Sequence, residues 1–146
     1  MYQSYPCDYS LPAEWSPQSG IMLTWPHGGT DWKPYLRQIT DTYLELSEII
    51  TRYEQLLIAT PIVESTRRTL ASRLSKEQMD RVHLYDIDSN DTWARDHGPI
   101  TLVSKNSHNG LIVPIHLLDF RFNGWGEKFA WQKDNAINLQ LYYQGA

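Results

Sequence analysis

Residues Gln55–Ile87 read QLLIATPIVESTRRTLASRLSKEQMDRVHLYDI, and this stretch sets the fold class. Gln55 to Pro61 is a short apolar run that reads as a strand. A polar segment around Glu64 to Ser75 reads as a helix, and Val82 to Ile87 alternates as VHLYDI, a further strand. Strand, helix and strand in direct succession belong to an α/β or α+β protein.

Upstream, Gly20 to Trp25 is another apolar run, bounded by Gly20 and by Pro26–Gly29, which predicts a buried strand followed by a loop. Between these strands Trp32, Leu36, Ile39, Tyr43, Leu46 and Ile50 recur at alternating spacings of four and three, so they line one helix face. Thr30 or Asp31 can cap that helix, and Pro34 fits only its first turn. The stripe is too short for a coiled coil and predicts an ordinary core-packing helix. Residues 1–19 are rich in Tyr, Pro and Ser and read as irregular, the first twelve as a lead-in.

Downstream, Ile100–Val103 and Leu111–Phe122 pair as a hairpin around KNSHNG, where Asn109–Gly110 is the turn signal. Leu118, Phe120 and Phe122 alternate with Asp119, Arg121 and Asn123, giving one apolar and one polar strand face. Residues 131–143 predict a helix with Ala136, Leu139 and Tyr143 on one side. The order is β-α-β-α-β-β-β-α. The final helix stops at Tyr142–Ala146 with no further element to bury its apolar face, which reads as the N-terminal portion of a longer domain, with a terminal helix docked on the sheet as the alternative.

The 146 residues, 41% hydrophobic, suffice for one globular domain. No apolar run approaches the ~20 residues a spanning helix needs, and MYQSYPCDYS lacks the basic and apolar regions of a signal peptide. A cytoplasmic protein is therefore expected, and the single cysteine, Cys7, excludes an internal disulfide. A net charge of -4 and the lack of a basic run argue against nucleic acid as a partner. A mildly acidic chain does tolerate a cationic substrate.

The chemistry concentrates in Asp86–Pro99, DIDSNDTWARDHGP, at the end of the third strand. Asp86, Asp88 and Asn90 match the first ligands of a calcium-binding EF-hand loop, but Asp91 stands where glycine is required and His97 where the bidentate Glu is required. A structural reading caps turns with Asp86, Asp88 and Asn90 and pairs Arg95 with a neighbouring carboxylate. The third reading concerns Trp93 and Asp96, an aromatic face beside a carboxylate: a guanidinium stacks on the indole and donates paired N–H bonds to the carboxylate. The residues alone leave the last two readings level for that pair.

Three blocks decide between them by resemblance: AEWSPQSGIMLTWP at Ala13–Pro26, NDTWARDHGP at Asn90–Pro99 and DFRFNGWGEKF at Asp119–Phe129. In order and spacing they are similar to the agmatine deiminase and bacterial-type peptidyl-arginine deiminase family. The resemblance implies an α/β pentein-type propeller, of which this chain would be an N-terminal partial arc, with 1–146 part of a single catalytic domain. It implies hydrolysis of a guanidine to a ureido group and ammonia through a covalent amidine–cysteine intermediate, without metal or organic cofactor. It assigns Asp96 as the catalytic carboxylate on the guanidinium, and Trp93, Asp96, Asn123 and Trp125 as substrate-binding residues. The family's second carboxylate, His and nucleophilic Cys match nothing here. Cys7 reads as a bystander and His97 as a variable loop residue, while Trp25 and Pro26 read as core residues beside the pocket.

The peptidyl-arginine branch carries arginines just after the residue corresponding to Asn123, for a substrate carboxylate. Gly124 and Gly126 stand there instead. The resemblance is therefore to the agmatine type, in polyamine synthesis toward putrescine, with a small guanidino cation as partner, no nucleic acid or membrane, and room for a homo-oligomer. Deimination of peptidyl or C-terminal arginine is the alternative substrate, and a non-catalytic cation-binding or interaction module the alternative of another class.

Overall fold

The structure, a computed structural model, describes residues 8–105 and 115–146. In chain order its first elements are β1 (Tyr9–Ser10), β2 (Gly20–Thr24), a 3-10 turn (Lys33–Tyr35), α1 (Leu36–Ile50), β3 (Gln55–Thr60), α2 (Val63–Ala71) and α3 (Lys76–Met79). They are followed by β4 (Val82–Asp86), α4 (Ala94–His97), β5 (Ile100–Ser104), β6 (Ile115–Leu118), α5 (Gly124–Glu127), α6 (Gln132–Asn135) and α7 (Ile137–Tyr143). Two compact units result: Met1–Pro17 with Pro99–Phe120, and Gln18–Gly98 with Arg121–Ala146.

The larger unit is built on a parallel sheet of order β2-β3-β4. Its register aligns Leu23 with Ile58 and Leu84, and Thr24 with Ala59 and Tyr85. Because side chains alternate across a strand, the first row faces one layer and the second row the opposite one. Leu23, Trp25, Leu56, Ile58 and Leu84 pack with Tyr43 and Leu44 of α1 and with Leu70 of α2. On the other face Ala59, Ile87, Met22 and Tyr85 meet Ile137 and Leu141 of α7. Leu56 and Ile58 are 0% exposed, and each such side chain contributes roughly 1.5–3 kcal/mol of transfer free energy. Trp25 and Pro26 are buried, and Trp25 meets Tyr43 edge-on in the core.

Several elements differ from the sequence reading. In α1, Leu46 is 40% exposed while Leu44 and Ser47 are buried. The tighter 3-10 turn at Lys33–Tyr35 carries Pro34, and its three residues per turn put Trp32 out of phase with the helix behind it. The hydroxyl of buried Ser47 is satisfied by donating to the Tyr43 carbonyl at 2.7 Å. Neither Thr30 nor Asp31 caps α1. The helix after β3 stops at Ala71, and a new one starts at Ser75 through a reciprocal capping box with Gln78. Residues 131–143 form two short helices, whose buried residues are Asp134, Ile137 and Leu141. Leu139 and Tyr143 are exposed.

In the smaller unit β1, β5 and β6 form an antiparallel sheet of order β1-β5-β6, so the lead-in contains a strand. The expected hairpin is present, with Ile100 opposite Leu118 and Val103 opposite Ile115. Its second strand ends at Leu118, short of Phe122. The Asn109–Gly110 turn, His108 and Cys7 lie outside the described residues. Among the described residues, no helix is long and apolar enough to cross a membrane.

His97 belongs to the core, against its reading as a variable loop residue. It is 2% exposed, hydrogen-bonds the Thr24 hydroxyl through Nε2 at 3.2 Å and packs on Phe122. The Asn138 side chain donates to its carbonyl at 2.7 Å, tying α4 to α7. Burial lowers its pKa from 6.5 to about 4. A base with a depressed folded pKa stays neutral in the fold while the unfolded chain takes up a proton. Its contribution is therefore complete above pH 6.5 and lost as pH falls through about 4, some ~3 kcal/mol in all. Urea unfolding at pH 7 and pH 4 is expected to show His97→Gln losing less stability on acidification than the parent; equal losses would mean that His97 does not carry this dependence.

Candidate functional site

The three parallel strands end in one row, and the chain beyond their carboxyl ends is where open parallel sheets place ligands. After β2, Pro26–Asp31 turns away; after β4, Ile87–Trp93 leads into α4. The single turn of α4 is closed by main-chain bonds from Asp96 and His97 to the Trp93 carbonyl, at 2.9 and 3.2 Å. This geometry sends the His97 ring inward and leaves the Asp96 carboxylate and the Trp93 ring partly in solvent. Trp93 is 43% exposed.

The second wall comes from Phe122–Phe129. Gly124, Trp125, Gly126 and Glu127 have φ of +61°, +56°, +82° and +64°, four successive residues in the left-handed region. A left-handed conformation costs about 1–2 kcal/mol per non-glycine residue, so glycine at two of the four positions limits the strain to Trp125 and Glu127. At Gly124 a side chain is also excluded by space, since a Cβ would stand 2.6 Å from the Phe129 carbonyl oxygen. Asn123 caps the turn by accepting the Gly126 N–H at 3.0 Å. Upstream, Phe122 donates its N–H to the Asn135 side chain at 2.8 Å, and the Arg121 guanidinium lies over the Trp131 ring at 5.3 Å.

This turn delivers Trp125 to the loop after β4. Its indole N–H donates to Asp96 Oδ1 at 3.2 Å. Its ring stands edge-to-face with Trp93 at 5.5 Å, with Phe122 at 5.2 Å and with Phe129 at 5.7 Å. The residues expected at the site, Trp93, Asp96, Asn123 and Trp125, are thus brought together from two stretches of chain. Beside them opens a cavity of 320 Å³ walled by Trp93, Trp125, Phe122 and Phe129 and bordered by Asp31, Asp91 and Asp134. No Lys or Arg lines it. Asp96 lies outside the lining and meets it through Trp125.

Several polar residues around this cluster make structural bonds. Asp88 pairs with Lys133 at 3.1 Å, and Asn90 Oδ1 accepts the Lys133 N–H at 2.8 Å. Gln144 donates to the Asp86 carbonyl at 3.1 Å. Arg95 makes no ion pair among the described residues, in contrast to the expectation. His27 Nδ1 accepts the Gly29 N–H at 3.1 Å, so Nε2 carries the proton and donates to Ser89 Oγ at 3.1 Å. That tautomer leaves no lone pair to take a proton from Ser89, so the pair is not an activated nucleophile. Burial, the largest influence, lowers the His27 pKa.

Comparison with known proteins agrees with this architecture. Residues 10–146 match the Porphyromonas-type peptidyl-arginine deiminase family. The chain belongs to that family, and its fold is a mixed α/β portion of a pentein. An agmatine deiminase of Stutzerimonas stutzeri is 26% identical over 138 residues, covering 91% of this chain and 34% of that protein. A C. jejuni agmatine deiminase, solved as a Cys-to-Ser variant with substrate bound, superposes with a TM-score of 0.78 at 32% identity, covering 94% of this chain and 37% of that one. An arginine deiminase-like protein from Porphyromonas gingivalis superposes with a TM-score of 0.74 at 36% identity, covering 94% and 37%. The chain spans about a third of the length of the relatives it matches.

Sequence reasoning missed Phe122 and Phe129 as walls, although their positions three before and four after Trp125 were a readable aromatic signal. It also missed Asp134, for which the sequence offers no signal. Asp134 is 1% exposed; its Oδ1 accepts the N–H of Asn90 at 2.6 Å and of Asp91 at 3.2 Å, and Oδ2 accepts the latter as well. Burial pushes its pKa up, against the pull of those two bonds. Asp134→Ala leaves both amides unpaired, at a cost of about 1–3 kcal/mol. Amide hydrogen exchange at Asn90 and Asp91 is expected to accelerate in that variant while exchange in β3 stays slow; unchanged exchange at both amides would show that the carboxylate does not hold the loop.

Proposed function

We propose that the complete gene product hydrolyses the guanidine group of agmatine to N-carbamoylputrescine and ammonia, and that these residues supply the guanidinium-holding half of its site. The observation that carries this reading is the clamp formed by Asp96, Trp125 and Trp93. A planar cation stacks on the Trp93 face and donates N–H bonds to Asp96. The neighbouring cavity, with carboxylates on its border and no cationic side chain among its lining, favours a positively charged ligand. Asn123, whose Oδ1 is engaged with Gly126, has its side-chain amide left to offer a ligand.

In this chemistry a thiolate attacks the guanidinium carbon, ammonia leaves, and water releases the ureido product from the covalent intermediate. Asp96 balances the cation and fixes its plane; it neither attacks nor leaves. The only cysteine among the 146 residues is Cys7, which we do not assign as the nucleophile. We place the thiol, the proton-shuttling His and a second carboxylate in the portion of the family fold that this chain does not span. The solved relative with serine in place of cysteine and substrate bound supports that placement. Agmatine is favoured over arginine because Gly124 cannot carry an arginine side chain in this turn, and an unpaired substrate carboxylate is costly to bury.

In the complete gene product Asp96→Asn is expected to lower agmatine hydrolysis by a factor of ~100 or more, as removal of one preorganised group does. Trp93→Ala removes stacking alone and is expected to cost about tenfold, and Cys7→Ser is expected to change nothing. The 146 residues by themselves are expected to release no ammonia from agmatine. Near-normal turnover in Asp96→Asn, or its loss in Cys7→Ser, would show that the site has been placed on the wrong residues.

A further inference from the structure

Trp125 occupies a place that a ligand-stacking residue does not need. A ring offered to a ligand can stand on any strand or helix, whereas Trp125 stands on strained backbone at φ +56° and ψ +50°. Such strain persists only where the surroundings enforce it, and it clusters where geometry matters to function. Here the enforcement is visible on both sides. Gly124 is pressed against the Phe129 carbonyl, where a Cβ would come within 2.6 Å, and Asn123 Oδ1 holds the Gly126 N–H at 3.0 Å. The main chain then closes on itself, with Glu127 donating to the Asn123 carbonyl at 2.8 Å and Lys128 to the Gly124 carbonyl at 3.1 Å.

The strain aims one group. The Trp125 indole N–H reaches Asp96 Oδ1 across 29 residues of sequence, and the same ring meets Trp93 almost perpendicularly, at 85°. Phe122, 8% exposed, and Phe129 hold the ring from its other sides. One side chain therefore touches both members of the pair assigned to the cation. Its bond occupies Oδ1 and leaves Oδ2 without a partner among the described residues.

We infer that Trp125 is a positioning residue. It fixes the rotamer of Asp96 and the tilt of Trp93 together, so that carboxylate and indole present themselves to a planar guanidinium as one rigid unit. An Asp96 free to rotate would have to be ordered when the ligand binds, and each side chain so immobilised reduces affinity. The inference rests on the reading of Asp96 as the guanidinium carboxylate, and it departs from the assignment of Trp125 as a residue that itself binds substrate.

The test uses the complete gene product with ¹⁵N-labelled tryptophan, and agmatine as the probe. Trp125→Phe keeps an aromatic ring and removes the donor. Its expected effect is a several-fold weaker agmatine affinity with the melting temperature close to that of the parent. Without any ligand, the Trp125 indole N–H resonance is expected to move in Asp96→Asn, and the Trp93 resonance to move in Trp125→Phe. Gly124→Ala, which disturbs the turn without removing either indole, is expected to reproduce the affinity loss of Trp125→Phe. Unchanged agmatine affinity in Trp125→Phe, while Asp96→Asn abolishes binding, would overturn the positioning role and leave the site reading standing. Parent-like binding by Asp96→Asn would remove the site reading and this inference with it. A Trp125 indole resonance indifferent to Asp96→Asn would overturn the inference on its own.

Discussion

Asp134 accepts the main-chain N–H groups of Asn90 and Asp91 from a position almost closed to water. A carboxylate so buried is costly unless its lone pairs are filled, and here the loop after β4 fills them. The exchange has two sides: the loop satisfies the acid, and the acid fixes the loop. Asn90 returns a bond to the Lys133 amide, so that α6 and the loop are joined at both residues. Trp93 and Asp96 begin within a few residues of this joint. The site therefore inherits its rigidity from a helix that contributes only Asp134 to the cavity border.

The sheet was legible because its residues obey local rules. The apolar runs at Gly20–Trp25, Gln55–Pro61 and Val82–Ile87 are strands within one or two residues, and short apolar segments flanked by turn residues have few other outcomes. Helix phase was less legible. Leu46, Leu139 and Tyr143 fall at helical spacing yet face outward, because each helix carries apolar residues on more than one face and a neighbouring stripe packs instead, through Tyr43, Leu44 and Ser47 in α1 and through Ile137 and Leu141 in α7. Periodicity alone does not say which of two such faces meets the sheet. Phe122 was assigned to a strand on the same kind of pattern, but β6 ends at Leu118 and Phe122 is buried beside His97.

At the site, the two blocks containing Trp93–Asp96 and Asn123–Trp125 were recognisable as blocks, while their meeting was not. No local rule says that an indole N–H near residue 125 will find a carboxylate at residue 96. The glycines flanking Trp125 did hint at positive φ, but the direction in which such a turn sends its side chain depends on the Phe129 carbonyl that it packs against. His97 shows the converse failure. A histidine in an aspartate-rich loop reads as a variable loop residue, whereas the Thr24 hydroxyl on β2 and the Phe122 ring hold it inward. Burial of a polar group is decided by partners distant in sequence, which a single chain read linearly does not reveal.

The perpendicular indoles of Trp93 and Trp125 also have an optical consequence. Two such chromophores with centroids 5.5 Å apart exchange excitation, and the coupled transitions of a chirally arranged pair give circular dichroism of opposite sign on either side of the absorption band. The chain has six tryptophans, but among the described residues only these two pack indole against indole. The couplet they generate depends on their mutual angle more than on their surroundings. The molecule thus carries a built-in spectroscopic gauge, in which a rotation of one ring too small to alter the secondary structure registers as a change in the handedness of absorbed light.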